Sequence, residues 1–305
     1  MDTYSSIFTR ASTRKFDSAP LSAQALEDFE TFITGVKPLV PEVKLTHKIV
    51  GADGVKGLAL PKAPHYLLIS GREHPLRNTA AGFCFQQAEL YLYSRGYATR
   101  WLNSVSPRQP APTFIIGIAL GKQSEPAERE PGDFDRRPLE DISSGTDSRL
   151  EAARLAPSGM NGQPWYFVAS GGVIHVYYRP SLGGIKGRLY HLTDLDVGIA
   201  LAHLKAAGDH EGKSFRFTVN QSSAPTPPKG FAYVGTVEDQ IKIMTGKEIY
   251  DGNHESNGKG KVYQSVYAVS GSCRTRAGCD SCSRVRGPCR SRRLFVTSPD
   301  SRPEP

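Results

Sequence analysis

Apolar and polar positions along the chain fall into two rhythms. Residues 81–101, AGFCFQQAELYLYSRGYATRW, carry apolar side chains at helical spacing. Short apolar runs lie on either side, HYLLIS at 65–70 and PTFIIGIALG at 112–121, and runs of that length and composition read as strands. Further upstream, LSAQALEDFETFI at 21–33 predicts another helix, with Ser22 placed to cap its first turn through a side-chain oxygen.

The same succession then recurs. Residues 197–217, VGIALAHLKAAGDHEGKSFRF, lie over 81–101 without a gap at a constant offset of 116. Gly82 meets Gly198, Gln87 meets His203, Gly96 meets Gly212, and Arg100-Trp101 meets Arg216-Phe217. GFAYVGTVE at 230–238 follows through the pairing of Gly117 with Gly235, IHVYYRP at 174–180 corresponds to HYLLIS, and TDSRLEAARLA at 146–156 supplies a second helix start with Thr146 or Asp147 as its cap. A period this long indicates a duplicated domain rather than a solenoid. The organisation expected is an α+β fold in two related halves, residues 1–130 and 131–240, followed by a tail at 241–305. Two such halves are expected to pair about a pseudo-twofold axis, since a surface that makes a twofold dimer can be self-complementary within one chain.

Composition changes this picture only at the tail. At 38% apolar and 22% charged residues, a chain of 305 can bury a sizeable core. No stretch approaches the ~18 apolar residues of a spanning helix, and MDTYSSIFTR is not a basic-then-apolar leader. A cytoplasmic protein without a membrane partner is expected. The net charge is +8, but residues 241–305 hold twelve Lys and Arg against six Asp and Glu, so +6 belongs to the tail. From about Gly252 the tail is rich in Gly, Ser and Arg and should not pack. Its Cys273, Cys279, Cys282 and Cys289 contain one CxxC pair, whereas a structural zinc site normally needs two knuckles or a Cys/His equivalent. A disordered tail without metal is therefore expected, and Cys84 is read as a small core residue. The tail lacks interleaved aromatics between Ser270 and Arg293, which argues against base stacking there though not against phosphate contacts, and nucleic acid is not the partner expected.

The halves differ where chemistry can sit. TRASTRKF near the start places Arg10, Ser12 and Arg14 at alternate positions, and forked guanidinium donors with a hydroxyl between them suit a phosphate. Solvated residues ahead of the first long helix would read the same way. Arg136-Arg137 opens the second half and could close on the same anion. The second half also has EAARLAPSGMNGQPWYFVAS at 151–170, a helix that runs into a strand through an uncharged turn. Pro157, Ser158, Asn161 and Gln163 there present main-chain groups and amides suited to the edge of a neutral heteroaromatic ring. Asn161 could equally be a simple turn residue, and Trp165 is expected in the core.

Together, TRASTRKF, EAARLAPSGMNGQPWYFV, GYATRWLN and IALGK…RRPLEDI resemble the FMN-dependent nitroreductase superfamily, in particular a branch in which two repeats in one chain imitate the usual homodimer. The resemblance covers about residues 3–240. It implies a three-layer α/β/α arrangement and an FMN between the halves. Arg10, Ser12, Arg14, Arg137 and, less directly, Arg136 would then hold the phosphate. Pro157, Ser158 and Asn161 would line the isoalloxazine, Gln163 would hold the loop, and Leu102 and Asn103 after Trp101 would bring main-chain N–H groups toward the flavin N5. Since each half lacks the other's motif, one site per chain is implied. Ala11 and Asn103 depart from the family pattern, which often has a basic residue and a glycine there.

The activity implied is hydride transfer from NADH or NADPH through FMN to a small-molecule acceptor such as a nitroaromatic, quinone or related compound. The flavin N5 carries the hydride, so no catalytic side chain is expected, and Phe83 and Phe85 are candidates to face the acceptor. A monomeric pseudo-dimer is expected. The alternatives are an ene-reductase or reductive dehalogenase on the same scaffold, a flavin carrier or sensor without turnover, and a nucleic-acid-associated protein acting through its basic tail.

Overall fold

The computed structural model describes residues 2–124, 129–222 and 224–239. The expectations for the tail, including its cysteines, lie outside the described residues. The helices are α1 (Thr3–Thr9), α2 (Ala23–Gly35), α3 (Arg77–Ser94), α4 (Leu139–Ile142), α5 (Leu150–Arg154), α6 (Gly184–Leu189) and α7 (Thr193–His210). The strands of the first region are β1 (Leu45–Val50), β2 (Val55–Gly57), β3 (His65–Gly71), β4 (Ala98–Leu102), β5 (Val105–Pro107) and β6 (Phe114–Gly121). Those of the second are β7 (Ser143–Gly145), β8 (Trp165–Ser170), β9 (Val173–Tyr178), β10 (Arg216–Thr218) and β11 (Ala232–Glu238).

Strand order repeats. The first large sheet runs β1-β3-β6-β4, antiparallel throughout. The second runs β8-β9-β11-β10 in the same succession, with β7 added in parallel beside β8. β2 and β5 form a small separate hairpin-like pair.

Both large sheets pack on one helical layer. α3 and α7 are buried along most of their length, including the polar Gln86, Glu89, Asp196 and His203. Leu67 and Ile69 of β3, Phe167 of β8 and Val176 of β9 share a single core with Phe83 of α3 and Leu201 of α7. The opposite face of the first sheet, carrying Tyr66, Leu68 and Ala119, is covered by Phe16, Ala63 and Val105 from connecting segments and β5. The layering is thus sheet, helices, sheet, in place of the α/β/α order expected. The reason is that α3 and α7 pack on each other and on the inner faces of both sheets in one core.

α3 and α7 cross at paired glycines. A Cβ on Gly82 would stand 2.0 Å from the Leu195 carbonyl oxygen, and one on Gly198 would stand 1.9 Å from that of Thr79. Thr79 and Leu195 are themselves one repeat apart, so the contact is reciprocal. Asn78 donates to Asp194 across the same crossing at 3.1 Å, again between residues 116 apart.

At the residue level, Ser22 caps α2 by accepting from Ala25 N–H, and Trp165 and Cys84 are buried, the latter with its thiol pushed up to about 12 by burial. α5 begins at Leu150, and of the two expected caps Asp147 accepts from the Arg149 N–H through Oδ1 at 3.0 Å just ahead of it, whereas Thr146 makes no such bond within the described residues. The Asp147 carboxylate is taken by the buried Arg149 guanidinium, which Asp239 also neutralises, because a buried cation must be paired.

Candidate functional site

One cleft of about 700 Å³ gathers most of the residues singled out in the sequence. Its walls come from the segment after α1, the end of β4, the turn after α5, and the link from α6 into α7. Residues 10–14 run extended beside β4, where Thr13 N–H donates to the Thr99 carbonyl at 3.0 Å. Arg10, Ser12 and Arg14 all line the cleft.

These residues are not equivalent. Arg10 is buried and its Nη2 pairs with Glu89 Oε1 at 3.2 Å. Glu89 is also held by Thr99 at 2.9 Å and by Gln86, and Gln86 Oε1 accepts from Trp101 Nε1 at 3.1 Å. A buried polar chain therefore joins Arg10 to the cleft-lining strand. His203 ends that chain beside Gln86, and burial first, then its cationic surroundings, pushes its pKa down to about 3, so it stays neutral. Arg14 and Ser12, by contrast, are exposed and make no hydrogen bond or ion pair within the described residues.

Arg136 also faces the cleft. Its Nε donates to the Ala156 carbonyl at 3.0 Å and its Nη1 to Asn161 Oδ1 at 2.8 Å, so it caps the end of α5 and ties down the turn. Burial, and then repulsion from Arg10 and Arg129, pushes its pKa down to about 10. The expected partner Arg137 is not in the cleft. Successive residues of an extended segment point opposite ways, and Arg137 lines a separate small depression with Gly162, Gln163 and Lys186.

The turn itself is strained and pre-formed. Met160, Asn161 and Gln163 all have left-handed backbone, with φ of 53°, 51° and 46°, a conformation that costs roughly 1–3 kcal/mol per non-glycine residue. Ser158 Oγ accepts from Gln163 N–H at 3.0 Å, and Gln163 Oε1 accepts from Arg137 N–H at 2.8 Å. Gln163 is thereby buried and holds the loop without lining the cleft. The Asn161 amide, expected at a ring edge, is spent on Arg136 and on the Asp135 carbonyl, to which its Nδ2 donates at 2.8 Å. Pro157 and Ser158 line the cleft, and Gly159 packs so closely on the Tyr190 ring that a Cβ would stand 2.1 Å from it.

Across the cleft lie Leu102 and Asn103, the latter donating to the Leu189 carbonyl at 3.4 Å. Phe83 and Phe85 are not at the cleft. Both are buried in the core, with Phe83 stacked on Phe215 and Phe85 edge-on to His47.

Several lining residues are not singled out in the sequence, among them Arg100, Arg129, Tyr190 and Asp196. Arg100 sits two positions before Leu102 on β4, a spacing that could have revealed it. Arg129 lies in a charged stretch with no signal of its own. Tyr190 and Asp196 meet only in three dimensions: Asp196 Oδ1 accepts from Gly159 N–H at 3.0 Å and from Tyr190 OH at 2.8 Å. Burial pushes the Asp196 carboxyl up to about 8 and raises the Tyr190 hydroxyl well above its ordinary range.

No helix among the described residues is long and apolar enough to cross a membrane. No curated protein matches the chain. A solved Thermotoga maritima structure, described as a "putative nitroreductase", aligns over 78% of this chain and 93% of its own at 21% identity and a TM-score of 0.57, which shows a shared fold. A nitroreductase family protein from Clostridium difficile 630 covers 48% of this chain and 97% of its own at 16% identity and a TM-score of 0.39. A Desulfovibrio desulfuricans protein, solved in complex with FMN, covers 46% and 93% at 16% identity and a TM-score of 0.35. The family model described as "Putative TM nitroreductase" matches residues 2–208, more than half of the chain. The chain belongs to this nitroreductase family.

Proposed function

We propose that the cleft holds FMN and that the protein is an NAD(P)H-dependent oxidoreductase acting on a small acceptor such as a nitroaromatic or quinone. The observation that carries this reading is the meeting of like charges with an uncharged turn in one cleft. Arg10, Arg14, Arg100, Arg129 and Arg136 line it together, and the Arg136 pKa is depressed by burial first and then by repulsion from Arg10 and Arg129. A phosphate dianion relieves that repulsion, and Arg14, Arg100 and Ser12, which have no protein partners within the described residues, are the donors available to it. Ile116, Leu195 and Ile199 add apolar surface for a planar ring, and the cleft volume falls in the range of cofactor sites. The residues present therefore fit the group.

When bound, the flavin would supply the hydride transfer. The chain's part is to bind and orient. Arg14, Arg100 and Ser12 would anchor the phosphate, Arg136 would hold the turn rather than the ligand, and the strained Ser158–Asn161 segment would press main chain against the ring. The buried Arg10–Glu89–Gln86–Trp101 chain would keep the phosphate end and the β4 wall in register.

We further infer that residues 1–130 and 131–240 are two halves related by a pseudo-twofold axis, with one such site per chain. Support comes from the matching strand order, the reciprocal contacts of Gly82 and Gly198, and the Asn78–Asp194 hydrogen bond between equivalent positions.

The test is an anaerobic absorbance spectrum of the purified full chain, before and after NADH or NADPH, with released flavin quantified against protein. Close to one FMN per chain, bleached by a nicotinamide and restored by a nitroaromatic or quinone, is the expected outcome. Flavin that never bleaches would turn the reading to a carrier, and a chain that takes up no flavin on reconstitution would overturn it.

A further inference from the structure

Asp196 is an unusual occupant of the first turn of α7. Its side chain is 1% exposed and it lines the cleft, yet no ion pair within the described residues involves it. Both donors that reach it, Gly159 N–H and Tyr190 OH, converge on Oδ1. Oδ2 is buried without any hydrogen-bond partner. An ionised carboxylate in this position would leave half its charge unsolvated, whereas a proton on Oδ2 makes the group a neutral acid that accepts through one oxygen and can donate through the other.

The fold does not require the carboxyl. One repeat earlier the equivalent position is Ala80, also fully buried, so this site in the helical layer tolerates a methyl group. The carboxyl is present only in the half whose turn faces the cleft.

We propose, building on the flavin reading above, that Asp196 donates a hydrogen bond from Oδ2 to an acceptor atom, a carbonyl oxygen or ring nitrogen, on the neutral ring system held in the cleft. Through Oδ1 the same residue fixes Gly159 and thereby the turn that flanks the ring. One carboxyl then positions the protein wall and reads the ligand edge, and losing its proton opposes binding.

The charged and titratable groups around it are consistent with this role. Tyr190 faces it from the α6–α7 link and donates to it, and Asp194, two residues earlier on α7, adds negative charge that favours the neutral form. From α3, Asn78 contributes no charge and is engaged by Asp194, while the 157–163 turn has no titratable side chain. The cleft's remaining charged groups are Arg10, Arg14, Arg100, Arg129 and Arg136 with Asp133 and Asp135, and none of these arginines makes an ion pair with Asp196. Burial holds the Asp196 pKa near 8, which sets the pH window of the test.

The experiment is a fluorescence titration of the full-length apoprotein with FMN from pH 7 to pH 9, for the wild type and for Asp196→Asn. The amide keeps an acceptor for Gly159 and Tyr190 and a donor that does not titrate. If binding needs the protonated form, the wild-type Kd should weaken about tenfold between pH 7 and pH 9 while that of Asp196→Asn stays flat. Both chains carry the same arginines, so guanidinium titration affects them alike. Parallel weakening in the two chains would overturn the proposal. So would a wild-type Asp196 carboxyl 13C resonance that reports an ionised group at pH 7, a measurement that needs no variant and no ligand. Absence of FMN binding to the wild type at every pH would instead overturn the flavin reading, and the ligand assigned to Asp196 with it.

Discussion

Arg10 and Arg14 sit four residues apart and look interchangeable as phosphate ligands, but their surroundings separate them. Arg14→Ala removes an exposed donor that has no protein partner within the described residues. It should weaken FMN binding by about 1–3 kcal/mol, the range of a charged hydrogen bond, and leave the urea midpoint of the apoprotein unchanged. Arg10→Ala would strand Glu89 in the core and should destabilise the fold by roughly 3–5 kcal/mol. Equal effects of the two substitutions on apoprotein stability, read by urea denaturation, would contradict this division of roles. The local motif marked both residues, but the buried carboxylate that claims one of them comes from the middle of α3, 79 residues away. The same lesson holds for Arg136 and Arg137, where the dipeptide was visible and the direction of each side chain was not.

At the scale of elements, the crossing of α3 and α7 carries the architecture. Each helix brings a glycine to the other's backbone, and the atoms that a new Cβ would meet are carbonyl oxygens, which cannot swing aside. Gly82→Ala should therefore force the helices apart and cost about 1–3 kcal/mol, visible as a lower urea midpoint. Gly198→Ala should cost a similar amount, because its contact is the mirror of the first. Unchanged stability in both would contradict so close a crossing. Both helices, the strand runs beside them and the constant offset were legible in the linear pattern, since periodicity and repeat are local properties. The start of α5 was legible only in part: Asp147 accepts from the Arg149 N–H there as a cap does, but its pairing with the buried Arg149 guanidinium has no local signal.

For the whole molecule, the expectation that follows from the proposed pseudo-twofold is a monomer. The helical layer between the two sheets is supplied by α3 and α7 of one chain. Sedimentation should give a single species near 33.3 kDa. A species near twice that mass would mean that a further surface pairs and that the internal crossing does not replace a subunit interface.

Taken alone, the linear pattern determined that this protein is α+β, that its elements occur in two similar sets, and that a basic motif and an uncharged turn belong to different sets. Those features depend on neighbours within a few residues or on self-similarity, both of which survive in one dimension. Only the tertiary structure decided which sheet faces pack inward, which arginines have their charge answered by protein, and that Tyr190, Gly159 and Asp196 converge at one point. Burial and pairing are properties of groups brought together from distant parts of the chain, and a pKa follows from them rather than from residue type. The sheet-helix-sheet order and the burial of Asp196 in the cleft wall were for that reason beyond the reach of the pattern, while the repeat was written in it.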